Sequence, residues 1–300
     1  MKMRINFRLV IAYFLVGALC TVGSSASAID LGGLAGKVWE KKDAIIKSGK
    51  ALRKGFTSLT NEEEYYIGRA VAAKILSDYK PAYNARHHRY INTLGQMLAR
   101  FSTRPETYGG YHFQLIRSNE VNAFAAPGGF IFITTGLYKK IDNEEQLAAV
   151  LAHEIAHVTL KHGLRAIKSS RLTQAFTIIG TEAVKEYSRS EVSQLTKVFE
   201  GSINDIVNKI VVSGYSRRQE YNADGEALRI IYRAGYNAAG LSEFLSTLNA
   251  VSSKTNNAGF NKTHPPASER LRKVNTTIKR YKLTGKTNAV RSKRFQAHSM

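Results

Sequence analysis

The chain has 300 residues, 43% hydrophobic and 22% charged, a globular composition that excludes collagen-like and largely disordered chains. At this length a core can be buried without disulfides or structural metals. Lys and Arg number 44 against 23 Asp and Glu, a net charge of +21, which suits an anionic membrane surface, nucleic acid or another acidic polymer and says nothing about fold.

The first 28 residues read as a cleaved secretory signal. Lys2, Arg4 and Arg8 precede the apolar run Leu9–Leu19, and a small-polar stretch ends at Ala26-Ser27-Ala28. Cys20 is the only cysteine, and Leu19 before it is wrong for a lipidation signal, so it leaves with the peptide. Residues 29–59 form a Gly- and Lys-rich lead-in. Thr60 or Asn61 caps a first helix that opens on Glu62, Glu63 and Glu64 and repeats apolar residues at Ile67, Val71, Ile75 and Leu76. A second helix covers His88–Phe101. Tyr111–Ile116 and Phe130–Thr134 read as strands, and Asn122–Gly129 as a Gly/Pro turn.

Asp142 or Asn143 then caps the most apolar helix, from 144 to about 163. Further helices are expected near 172–187, 191–211, 217–233, 239–250 and 266–281. The stretch 168–212 is a lid over a cleft or a pair of packing helices. After Glu269 the chain carries no acid, and residues 283–300 read as a solvated basic tail. The class is α+β, mainly helical with a small sheet.

His153-Glu154-Ile155-Ala156-His157 lies in the apolar helix. Positions i and i+4 share a helix face, so both imidazoles can reach one ion. Glu154, turned about 100° away, can take a proton from water that the metal activates. A zinc site needs a third protein ligand and an open position. In Ser216-Arg217-Arg218-Gln219-Glu220-Tyr221-Asn222-Ala223-Asp224, two carboxylates recur at i and i+4, so Glu220 is the candidate third ligand. Asp224 would accept the free N–H of a ligand histidine, His153.

With these segments, Thr263-His264-Pro265-Pro266-Ala267-Ser268-Glu269-Arg270 and the stretch Asn122–Leu137 complete a resemblance to the HtpX-like and CAAX-prenyl-protease-like gluzincin metallopeptidases over residues 60–282. The resemblance implies one Zn2+ held by His153, His157 and Glu220, with Glu154 as catalytic base and Asp224 behind the ligands. It implies that Phe130, Ile131, Phe132, Ile133 and Thr134 form an edge strand that pairs with substrate backbone. It places His264 and Arg270 near the metal, as donors to an oxyanion or, for His264, as an occupant of the open position that holds the enzyme latent.

The reading is therefore an exported zinc endopeptidase of the bacterial cell envelope, periplasmic, acting on unfolded or misassembled envelope proteins near an anionic membrane surface. A chaperone-like or lipid-binding protein with a structural metal is the alternative. Nucleic acid is not an expected partner, because no recognition motif accompanies the charge. A non-haem iron oxygenase would leave Glu154 without a role. Gly285-Lys286-Thr287 is no phosphate loop, since Arg280 stands where that loop needs glycine. His87, His88, His112, His162 and His298 read as ordinary surface or core histidines.

Overall fold

The computed structural model describes residues 59–167, 171, 189–252, 263–264, 267–285 and 288–300. The signal segment, nearly all of the lead-in, the expected helix near 172–187 and the Pro265-Pro266 pair lie outside the described residues.

Helix α1 (Asn61–Asp78) starts where the sequence predicts. The Thr60 hydroxyl accepts from Glu63 N–H, and the Glu63 carboxylate reaches back to Thr60 N–H at 2.7 Å. Helix α2 (Ala85–Ala99) begins three positions earlier than expected, because Asn84 caps it through Arg86 and His87 N–H. Three strands follow: β1 (His112–Ile116), β2 (Ala123–Ala126) and β3 (Phe130–Thr134). A short helix α3 (Thr135–Tyr138) leads to α4 (Glu144–Thr159), capped by Asn143. Then come α5 (Arg189–Val207), which continues as a π-helix over Asn208–Ser213, α6 (Arg217–Arg233), α7 (Ala239–Ser252), α8 (Ala267–Tyr281) and α9 (Ala289–Gln296).

The sheet order is β1-β3-β2, with β1 parallel and β2 antiparallel to β3. Two expectations change here. Ala123–Ala126 is a strand, and only Pro127–Gly129 makes the turn, with Gly128 and Gly129 at φ 74° and 102°. Phe130–Thr134 is the central strand and not an edge, since it is hydrogen-bonded on both sides. The reason lies in its composition. Ile131 and Ile133 face one apolar cluster while Phe132 faces the other, so both faces are buried, as a central strand requires. The edges are β1, whose Ile116 bridges to Pro81, and β2, which packs against α4.

The larger cluster surrounds α4 with α2, α6, α7, α8 and one sheet face; the smaller joins α1, the other face and α5. The described part of the candidate lid belongs to that second core, where Ile203, Ile206 and Ile210 are buried. The expected basic tail is also corrected. Residues 289–296 form a helix whose Phe295 sits in the main core, because one apolar side chain and two paired arginines give the segment something to bury. Among the described residues no helix is long and apolar enough to cross a membrane.

Candidate metal centre

Helix α4 is buried along nearly its whole length, and α6 packs along it. Ser216 and Gln219 form a capping box that starts α6 one residue later, which sets the rotation of its first turn. Glu220 and Asp224, one turn apart, then face His153 and His157. The Nε2 atoms of the two histidines lie 3.1 Å apart, and each is 3.4 Å from a Glu220 oxygen. His264 Nδ1 lies 2.9 Å from both oxygens of Glu220. Its segment is fastened by Tyr215 N–H to Thr263 O at 3.0 Å and by the Thr263 hydroxyl to Asn122 Oδ1 at 3.0 Å.

One donor atom from each of His153, His157, Glu220 and His264 fits within a sphere of mutual distances no larger than 4.8 Å. All four side chains are buried. Imidazole nitrogen and carboxylate oxygen are donors that divalent metal ions accept, so the residues fit a resident ion. Glu154 adds an independent sign. Its carboxylate is 0% exposed, and neither oxygen has a hydrogen-bond partner among the described residues. An unpaired buried carboxylate is costly unless a cation or a reacting proton answers it.

Asp224 Oδ1 lies 3.1 Å from His153 Nδ1, on the side of the ring away from His157. Arg270 comes from α8 and is buried. It donates from Nε and Nη2 to Asp224 at 2.9 and 2.6 Å, and Nη1 reaches Glu220 Oε2 at 3.0 Å. The guanidinium is thus turned toward two carboxylates and holds them in register.

The electrostatics follow. Burial opposes charge on Asp224, but Arg270 and His153 outweigh it and pull the carboxyl down to about 2. Burial likewise opposes charge on Glu220, yet His264 and Arg270 hold it well below the carboxylate range. Burial and Arg270 disfavour a proton on His153, but Asp224 and Glu220 lift it to about 9. Burial pushes His157 well down and Glu154 up. Glu154 is moved in the direction that suits a base working near neutrality.

Two residues beside the site were not legible. Tyr215 stacks on His157 with ring centroids 4.1 Å apart. His162, read as an ordinary histidine, is fully buried with Nδ1 3.0 Å from His157 Nδ1. Burial, then Arg165, pushes it down to about 4. The expectation of helix to 163 hid this contact, because α4 ends at Thr159 and the chain folds back. The other histidines stay apart from the cluster: His112 stacks on Phe130, His298 on Tyr90, and His87 meets Tyr138.

Residues 85–278 match the model of peptidase family M48. The beta-barrel assembly-enhancing protease of Escherichia coli (strain K12) is 30% identical over 164 residues, 53% of this chain and 32% of that protein. Metalloprotease YcaL of the same organism is 26% identical over 167 residues, 56% of this chain and 62% of YcaL. The mitochondrial metalloendopeptidase OMA1 of Schizosaccharomyces pombe is 23% identical over 226 residues, 74% and 63% of the two chains. The chain spans about a third of the length of the beta-barrel assembly-enhancing proteases it matches. With the family model covering well over half of its residues, and the converging histidines and carboxylates in the matched region, the chain belongs to peptidase family M48.

Proposed function

We propose that this chain is a zinc-dependent endopeptidase of the bacterial cell envelope, exported by a cleaved signal at residues 1–28, that hydrolyses unfolded or misassembled envelope proteins. The observation that carries the reading is Glu154, a buried carboxylate with no hydrogen-bond partner among the described residues, beside the converged donors of His153, His157 and Glu220. Those three residues would hold the ion. Bound there, zinc supplies Lewis acidity, polarising a peptide carbonyl and acidifying water. Glu154 takes the proton of the attacking water and delivers it to the leaving amine. Asp224 fixes the tautomer of His153, and Arg270 keeps Asp224 and Glu220 charged and aimed. Strand β2, the sheet edge beside α4, is where an extended peptide would pair with little demand on its sequence, once the chain that buries its four residues moves aside.

The names of several relatives tie them to β-barrel assembly, which supports envelope proteins with unassembled strands as substrates. The positive charge supports work close to an anionic membrane surface. The test is metal content and cleavage on the exported chain. About one zinc per chain, lost in His153→Ala and kept in Glu154→Gln, with cleavage of an unfolded envelope protein abolished in both, is the expected result. Near-wild-type cleavage by Glu154→Gln overturns the mechanism.

One observation favours a second reading of the resting state. His264 joins the cluster as a fourth donor, which is the closed set of a structural or latent site. His264→Ala separates the two. Faster cleavage with zinc retained marks a latent enzyme; slower cleavage marks His264 as a participant in the reaction.

A further inference from the structure

The end of α4 is built in an unusual way. Leu160 is the C-cap, and Lys161 follows with φ 54°, left-handed although it is not glycine. Lys161 N–H donates to Val158 O at 2.9 Å, and His162 N–H donates to His157 O at 3.0 Å. These two bonds are the paired bonds of a Schellman termination. A lysine here carries the cost of the left-handed region, which glycine avoids. Its ammonium offsets part of this by reaching the buried Glu64 carboxylate at 3.4 Å.

The consequence is where His162 goes. In a continued helix, position i+5 would leave the face of His157. The left-handed step instead folds the chain back, so that the imidazole of His162 lies against that of His157 with the Nδ1 atoms 3.0 Å apart. Only one of two facing nitrogens can carry the shared proton. His157 turns its Nε2 toward His153 and Glu220, so with an ion held on Nε2 its Nδ1 would be the protonated atom and His162 Nδ1 the acceptor. His162 then carries its own proton on Nε2, an atom that is buried and has no partner among the described residues.

We propose that His162 is the positioning residue for the metal ligand His157, accepting its Nδ1–H and so fixing the tautomer and ring orientation that present Nε2 to the ion. This rests on the reading of His153, His157 and Glu220 as the ligand set. His153 and His157 are thereby held by different acceptors, a carboxylate from α6 and a neutral imidazole delivered by the terminator of their own helix.

The test compares His162→Asn, His162→Gln and His162→Leu by zinc affinity, measured by competition with a chromophoric chelator, and by thermal unfolding in the presence of chelator. Asn carries its oxygen near the place of Nδ1, whereas Gln reaches toward the place of Nε2. Zinc affinity near wild type in Asn, with a loss of about 10- to 100-fold in Gln and Leu, supports the proposal. Equal affinity in Leu and wild type overturns it. So does retention in Gln with loss in Asn, which would assign the work to Nε2, and so does equal loss in all three. If the Leu variant does not fold, the Asn and Gln pair decides alone. No zinc in the wild-type chain would instead defeat the ligand assignment, which keeps the two failures distinct.

Discussion

Arg294 grips Glu144. Its Nε donates to Glu144 Oε2 at 2.7 Å while Nη2 meets the other oxygen, so the last helix of the chain is fastened to the first residue of the helix that carries His153 and His157. Glu144 is 0% exposed and also accepts from the phenols of Tyr90 and Tyr236, at 2.8 and 2.7 Å. Phe295, the next residue, is buried in the main core, and Arg291 lies over the Tyr236 ring at 3.9 Å. Replacing Arg294 with Met leaves a buried carboxylate that the helix N-terminus answers only in part. Because the guanidinium is itself partly exposed, the expected loss is about 2 kcal/mol rather than the larger penalty of a fully buried pair. Urea denaturation reads it, and a change within error would mean that α9 is not docked here. Removing residues 286–300 also strips Phe295 from the core and should cost more than Arg294→Met.

The same carboxylate makes stability depend on pH. Burial alone would raise the Glu144 carboxyl, but hydrogen bonds from Arg294, Tyr236 and Tyr90 outweigh it and hold the group below its ordinary value. A carboxyl depressed in the folded state contributes stability above the unfolded value, near 4.3, and loses it as pH falls through the folded value. Glu144→Gln should therefore be less stable than wild type at pH 7, and the gap should close as pH falls below about 4.5. Parallel stability curves from pH 7 to 3 would show that the group does not titrate with folding.

Arg270 carries a different prediction, because it neutralises two buried carboxylates at once. Arg270→Met leaves Asp224 and Glu220 facing each other with only the histidines to answer them. The expected cost is about 3–5 kcal/mol, the range for breaking a buried ion pair from one side. A bound cation would replace part of the missing charge, so the loss should shrink when zinc is added. Thermal unfolding of variant and wild type, with zinc and with chelator, measures this. A loss of equal size in both conditions would sever Arg270 from the electrostatics of the site.

How far the residues foretold all this depended on whether the signal was local. The spacing of His153, Glu154 and His157, and of Glu220 and Asp224, is helical periodicity, and each helix formed where its caps predict. Strand β2 was hidden because Ala123-Phe124-Ala125-Ala126 has weak strand propensity, and its pairing on β3 makes it a strand. Strand β3 was recognisable, but its place in the sheet was not, since order is fixed by partners elsewhere in the chain. The tail looked solvated because its partners, Glu144 and Glu145, are distant in sequence. His162 was concealed by one dihedral angle at Lys161, a non-glycine residue that gives no warning of a left-handed turn.

Gly68 offers a test in which two effects oppose each other. It lies inside α1, where helix propensity alone makes Gly68→Ala favourable by about 1 kcal/mol. A Cβ at this position would meet the carbonyl oxygen of Pro127 at 1.9 Å, which is backbone and cannot swing aside. Helix α1 must then back away from the turn before β3. That movement would stretch the bond from Gly128 N–H to Glu64, now 3.2 Å, and the Lys161 contact on the same carboxylate. Overpacking of this kind costs about 1–3 kcal/mol and should outweigh the propensity gain, so the variant should be destabilised. Because Lys161 begins the turn that delivers His162 to His157, zinc affinity should fall as well. A variant as stable as wild type, with unchanged zinc affinity, would mean that the close approach of α1 to Pro127 does not hold the end of α4 in place.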